Sequence, residues 1–327
     1  MRATINISMI RATVFGLPIA VVLGFVAGFQ LLGQSPDYEN YLFYFDLARD
    51  SSFPDLLDYR FEPGFALLTY LLVTFQLSGP GIYSSIVGGS MFLKYFSLRT
   101  TENFWPTFTV FTLYYAIRYF TLFEMTVLRT AVALSIAIFV FYSRSSHEYR
   151  IKHLLFLLFS VSMHYSAIIF IPIYLIRPSR RMTVIAAGGA FFITILAARS
   201  LALVLLPNYV PVFATYDEFS RATLLPIPFA VDLLFLAFVL SNWEKNDDLM
   251  KSCAVGMVIS AAFHFSLLDY SLIASRFREL LSVFFLLYVT RSVGYAQDEI
   301  KYTAIVYAIL SGTLHFYGVY IYEPLLK

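Results

Sequence analysis

The chain has 327 residues, 59% hydrophobic and only 13% charged, with a net charge of +2 and a mean hydropathy of +0.72. A soluble domain of this size cannot hide so much apolar surface, and disordered, collagen-like and disulfide-stapled chains have other compositions. The small net charge gives nucleic-acid binding no support, and the lone Cys253 can form no internal disulfide.

What remains is an all-α polytopic membrane protein. The apolar runs are continuous rather than alternating, so the spans are helices and not barrel strands. At roughly 20 residues per crossing, the composition allows about 9–11 transmembrane helices. The whole chain, 1–327, reads as a single integral-membrane domain.

Arg2 and Arg11 precede the first apolar run, 14–33. It is too long for a signal peptide and lacks a small-residue cleavage site, so it predicts a retained first helix with its N-terminus inside. Segment 34–62 follows with seven acids (Asp37, Glu39, Asp46, Asp50, Asp55, Asp58, Glu62) against Arg49 and Arg60. That scarcity of bases predicts an external loop. Tyr38, Tyr41, Leu42, Tyr44, Phe45 and Leu47 predict an amphipathic helix within it, lying at the interface.

Apolar runs then fill 65–77, 82–98, 104–120, 123–142, 151–176, 182–206, 224–240, 252–268, 272–290 and 302–322. Basic clusters at Lys94/Arg99, 144–152 and Arg177/Arg180/Arg181 should all face inside. Parity allows this only if two runs do not cross plainly. Run 65–77 is too short to span, and 151–176 is expected to break near His164. Such re-entrant or broken backbone is tolerated only where it is buried or lines a wet cavity. The external side then collects 34–62, the Glu124/Arg129 end, 208–221 and the 269–278 corner.

Charges and histidines inside apolar runs are the candidate functional groups. Arg129 lies in 123–142; Glu124 is five residues earlier, which puts the two on different helical faces. Snorkelling outward is the plain alternative for Arg129. Arg276 and Arg278 open 272–290; Arg276 is spaced to pair with Glu279, leaving Arg278 the freer charge. Asp232 reads as a helix-start residue. His164, His264 and His315 sit in apolar surroundings, where an interhelical hydrogen bond is the common role. In 60–65, Pro63 begins a helix whose N-terminus suits an anion, and Glu62 stands beside it. No spacing suggests a metal site, and no Gly-rich loop suggests a nucleotide.

Several motifs in order resemble the EpsG branch of Wzy-like polysaccharide polymerases. They are Asp37-Tyr38-Glu39-Asn40-Tyr41, Glu62-Pro63-Gly64-Phe65, Leu128-Arg129-Thr130-Ala131-Val132-Ala133, His164-Tyr165-Ser166-Ala167 and Ala274-Ser275-Arg276-Phe277. Thr130 departs from the usual Arg-Gln of that family. The resemblance implies an integral-membrane glycosyltransferase of GT-C-like architecture at the external face of the bacterial inner membrane. It would move a glycan from polyprenyl pyrophosphate onto the sugar of another lipid-linked repeat unit. No metal or other cofactor is implied. The implied partners are the polyprenyl-pyrophosphate-linked oligosaccharide, membrane lipid, and a flippase and chain-length regulator of the same pathway.

Such a transfer must stabilise a leaving pyrophosphate and deprotonate a hydroxyl. Without a metal, arginine suits the first task, because its planar fork binds phosphate oxygens and keeps its charge. Arg129 and Arg276 take that role, with Arg278 or Arg221 as a second contact. The candidate bases are Glu62, His164 and Asp37. Tyr38 and Tyr41 either stack on sugar rings or anchor the interface. Two rival readings are a transporter, which also uses broken helices, and an O-antigen ligase-type glycosyltransferase. A scaffold in an export complex would leave the arginines unexplained.

Overall fold

A computed structural model describes residues 7–59, 61–101, 103–144, 151–205, 224–295, 297–322 and 325–326. Among them are fifteen α-helices, short 3-10 and π segments, and no strand. The chain is a multi-pass, all-α membrane protein. By length and apolarity, four helical stretches among the described residues can cross a bilayer alone: Ile7–Gly28, Arg181–Ala198, Asp248–Ser266 and Asp298–Tyr322. Phe120–Thr126 and Leu128–Tyr142 form a fifth if taken together, although they bend by 119°. Pro63–Val73, Ile151–Met163, Tyr165–Leu175 and Ile227–Ser241 are apolar but only 10–17 residues long. Much of the apolar composition therefore sits in short or interrupted pieces rather than in full-length crossings.

The interruptions fall at informative places. The helix Ile151–Met163 stops at His164, whose backbone is extended (φ −159°, ψ 117°), and a 3-10 turn, Tyr165–Ile169, follows. This is the break argued from parity. The short run near 65–77 folds as Pro63–Val73, with Pro63 opening the first turn. Eleven residues at 1.5 Å each reach about 16 Å, roughly half a hydrocarbon core. The boundary between 104–120 and 123–142 is more elaborate than the sequence suggests. Phe104–Arg118 gives way to a π turn, Phe120–Thr126, and the chain bends at Val127 before Leu128–Tyr142.

The described chain separates into two compact units. The first comprises Met1–Pro172, Val293–Tyr295 and Gly312–Lys327. In it the N-terminal helix lies along Gly79–Ser97. A Cβ on Gly24 would stand 2.6 Å from the Ser84 carbonyl oxygen, so only glycine permits that approach. The helix Tyr38–Asp50 buries Tyr38, Tyr41, Tyr44, Phe45 and Ala48 on one stripe. That stripe meets Phe61 and Phe65: Tyr41 stacks on Phe61 at 5.6 Å, and Tyr44 meets it edge-on at 4.4 Å. Each such ring pair adds about 0.5–1.5 kcal/mol beyond its buried area.

One reading of the charges is corrected here. Loop-charge parity sets Lys94 toward the inside and Glu124 at the external end. Both are fully buried, and Lys94 Nζ donates to Glu124 Oε1 at 2.7 Å. They share one depth, so neither marks a side. Burial in the same apolar wall forces each charge to find the other.

The second unit comprises Ile173–Ser292 and Ala296–Ser311. Its helix Ile227–Ser241 starts on Pro226. Asp232 therefore lies inside that helix rather than at its start, buried, where it accepts a hydrogen bond from Tyr307 at 2.6 Å. Phe235 stacks on the same tyrosine at 3.9 Å.

Candidate functional site

The site is built around a carboxylate that gives up its local duty. Glu62 occupies the N-cap of Pro63–Val73, where a side chain usually accepts from the first-turn N–H groups. Its side chain makes no such cap bond. It reaches instead to two other elements. Oε2 accepts a short hydrogen bond and ion pair from Arg129 Nη1, on the first turn of Leu128–Tyr142. Oε1 lies 2.9 Å from His164 Nδ1, and the Tyr165 backbone N–H donates to it at 3.4 Å. The break after Met163 is what exposes that N–H, since a continuing helix would have used it internally.

Glu62 is buried, while Arg129 and His164 keep 22% and 20% of their side chains accessible. The carboxylate is thus enclosed, and the two basic groups are the part of the cluster that solvent reaches. Burial opposes the charge on Glu62. The His164 hydrogen bond and the Arg129 guanidinium outweigh it and bring the carboxyl down to about 2. An ionised carboxylate only accepts hydrogen bonds, so the Nδ1 that His164 turns to Glu62 carries a proton, and its Nε2 is the nitrogen left for a ligand.

Arg129 is held from several directions. Its guanidinium lies 4.5 Å above the Phe61 ring, and Tyr41 sits against it. Its buried Nε has no hydrogen-bond partner among the described residues. The accessible part of the guanidinium is a fixed cation at a partly open position, which suits an anionic ligand.

A glycine permits the contact between Pro63–Val73 and the histidine segment. A Cβ on Gly64 would stand 2.3 Å from Ser162 Oγ and 2.8 Å from the Ser162 backbone. Gly64→Ala must push the two segments apart, and it is expected to cost about 1–3 kcal/mol of stability. Thermal unfolding of the detergent-solubilised variant checks this; an unchanged midpoint would mean that the contact is slack.

The other expected site residues have different surroundings. Asp37 is exposed at the N-cap of Tyr38–Asp50, and its charge acts on Tyr41. Tyr38 and Tyr41 are buried; Tyr38 donates to the Gly28 carbonyl at 2.6 Å, and Tyr41 is enclosed by Phe61, Phe65 and Tyr83. Their rings pack the protein interior. Tyr165, next to His164, is the exposed ring at this place, 61% accessible. In the second unit Arg276 is exposed. Glu279 pairs with its neighbour Arg278 at 3.2 Å, not with Arg276 as spacing alone suggested. Arg221 lies outside the described residues, as does Arg60.

Sequence reading missed the Lys94–Glu124 pair and the buried Arg118, which donates to Tyr114. A signal was available for the first. Tyr83, Ser90 and Lys94, spaced by seven and four, form one polar stripe on an apolar helix. His264 is buried on its helix, with Nε2 3.2 Å from the carbonyl oxygen of Leu224, which lies in the segment before Ile227–Ser241 rather than on a second helix. Among the described residues no group of three or more histidine, cysteine, aspartate or glutamate residues could hold a metal ion.

No curated protein and no solved structure matches this chain. A family profile described as the EpsG family matches residues 13–324, nearly the whole length. The chain belongs to the EpsG family.

Proposed function

We propose that the protein is a polysaccharide polymerase of the bacterial inner membrane, a glycosyltransferase of GT-C-like architecture. It joins a polyprenyl-pyrophosphate-linked glycan to the sugar of a second lipid-linked repeat unit. Membership of the EpsG family supports the polymerase class. One observation carries the chemistry: three elements bring Arg129, Glu62 and His164 together at a partly open position.

In the reaction, Nε2 of His164 takes the proton from an acceptor hydroxyl. The oxygen attacks the anomeric carbon, and that carbon's bond to the pyrophosphate oxygen breaks. The electron pair leaves on polyprenyl pyrophosphate, whose growing charge Arg129 meets. Both oxygens of Glu62 are already engaged, by Arg129 on one side and by His164 and the Tyr165 N–H on the other, so the proton goes to His164 rather than to Glu62. The task of Glu62 is to fix the imidazole tautomer and to hold the guanidinium. This reading gives Asp37 and the buried Tyr38 no role in the step, keeps Tyr41 as a contact of Arg129, and assigns the sugar-facing role to the exposed Tyr165 ring. Resemblance adds Arg276, Arg278 and Arg221 as phosphate contacts; geometry supports Arg129 among the four.

The test is an assay with purified protein in nanodiscs, a lipid-pyrophosphate-linked repeat unit and EDTA, with products resolved by length. A ladder of products is expected. Glu62→Gln should slow the reaction, and His164→Gln should nearly abolish it. A ladder undiminished in His164→Gln would give the base role to another group. Uptake of the intact lipid-linked unit into vesicles without any ladder would favour a transporter instead.

A further inference from the structure

The 119° bend between Phe120–Thr126 and Leu128–Tyr142 poses a problem of its own. A broken helix leaves backbone carbonyls without intrahelical partners, and in an apolar wall each is costly. Arg129 stands two residues past the break at Val127, so the angle of the bend decides where its guanidinium points.

One helix, Gly79–Ser97, meets this need on the near arm and bonds to the far arm as well, from one face. Tyr83 shares its hydroxyl between the carbonyls of Glu124 (3.1 Å) and Met125 (2.9 Å), on the near arm. Ser90 donates to the Ala131 carbonyl (3.0 Å), on the far arm. Lys94 grips both arms: Glu124 Oε1 at 2.7 Å on the near one and the Ala131 carbonyl at 3.0 Å on the far one. Its third donor goes to Ser90 at 2.6 Å, so all three are used. The Tyr115 hydroxyl adds a second bond to Glu124 Oε1 at 2.7 Å. The Tyr83 ring also touches Tyr41 at 5.9 Å, and Tyr41 stacks on the Phe61 ring that underlies Arg129.

We propose that the stripe Tyr83–Ser90–Lys94 is a positioning device for the reaction: it clamps both arms of the bend so that Arg129 meets Glu62. The inference rests on the phosphate-binding role given to Arg129 above. None of the three residues touches the candidate site's open face; they act through the backbone that carries Arg129. Fixed aim matters because a guanidinium displaced by an ångström stabilises a leaving group far less.

Tyr83→Phe and Ser90→Ala are the test variants, since each removes a hydroxyl and keeps the packing. In the ladder assay each should lower kcat by about tenfold and leave KM for the lipid-linked donor within about twofold, as expected when transition-state aim is lost. A second readout needs no activity. Thermal midpoints are measured for Tyr83→Phe, Arg129→Gln and the double variant. If the hydroxyl holds Arg129 against Glu62, the two losses are non-additive, and Tyr83→Phe costs less once Arg129 is gone. Additive losses, or an unchanged kcat in both hydroxyl variants, overturn the proposal. A fall in both kcat and active fraction by the same factor also overturns it, because that marks a merely structural role. If the wild type yields no ladder, the polymerase reading fails by itself, and the thermal cycle still decides the clamp.

Discussion

Lys94→Met is expected to destabilise the protein by about 3–5 kcal/mol, the cost of leaving a buried charge without its partner. Glu124 and Lys94 are both fully buried. Methionine fills nearly the same volume, so packing is little changed and the loss reports the charge. Two further bonds disappear with the ammonium, to Ser90 and to the Ala131 carbonyl. Glu124 Oε2 already has no partner among the described residues, so the stranded carboxylate has little local relief. Adding Glu124→Gln to Lys94→Met should recover most of the loss, because an uncharged pair no longer carries the desolvation penalty. Thermal unfolding in one detergent, for the wild type, both single variants and the double, gives the comparison. A double variant no better than Lys94→Met would show that the charge is not what the site protects.

Arg129→Ala is expected to slow ladder formation by about 10²–10³-fold, the usual consequence of removing one preorganised donor from a developing anion. Arg129→Lys should also lose activity, because a point charge cannot hold Glu62 and a phosphate oxygen together as a planar fork does. The same substitution has a linked effect on Glu62. Its carboxyl lies at about 2 because His164 and Arg129 together outweigh burial. A lowered carboxyl contributes stability that is complete above its unfolded value and fades as pH falls toward about 2. In the wild type that contribution therefore persists through neutral and mildly acid conditions. In Arg129→Ala it should be smaller and should fade at higher pH. Acid titration of the thermal midpoint, run beside the ladder assay, separates the two consequences. A ladder undiminished in Arg129→Ala would remove the guanidinium from the mechanism.

Much of this was legible in the residues. Composition and unbroken apolar runs point to helices in a bilayer, and loop-charge parity locates the interruption near His164. Glu62, Arg129 and His164 each stand out because polar groups in apolar surroundings need a reason. That they converge was not legible, since nothing local links an N-cap, a helix after a bend and a broken span. Where sequence reading failed, it judged charges by side rather than by partner. Lys94 looked like a marker of topology because its helix was taken alone. For Tyr38 and Tyr41 the polar segment leaves two readings open, stacking on sugars or anchoring the interface, and neither names the protein interior where the rings lie. Yet Tyr38, Tyr41, Phe45 and Ala48 follow a single helical stripe, the pattern of a buried face. Spacing pairs Glu279 with Arg276, three residues away, whereas the fold pairs it with its neighbour Arg278.

The uncapped start of Pro63–Val73 carries a lesson for engineering. A procedure that scores helices by their ends would place serine, threonine or aspartate at position 62 and gain about 1 kcal/mol of helix stability. The redesigned chain would be sturdier and blind. Its new side chain would turn inward to its own first turn, releasing the guanidinium and the imidazole that Glu62 holds. At this position durability and work draw on the same oxygen atoms, so stabilising campaigns on such proteins should leave badly capped acidic helix starts alone.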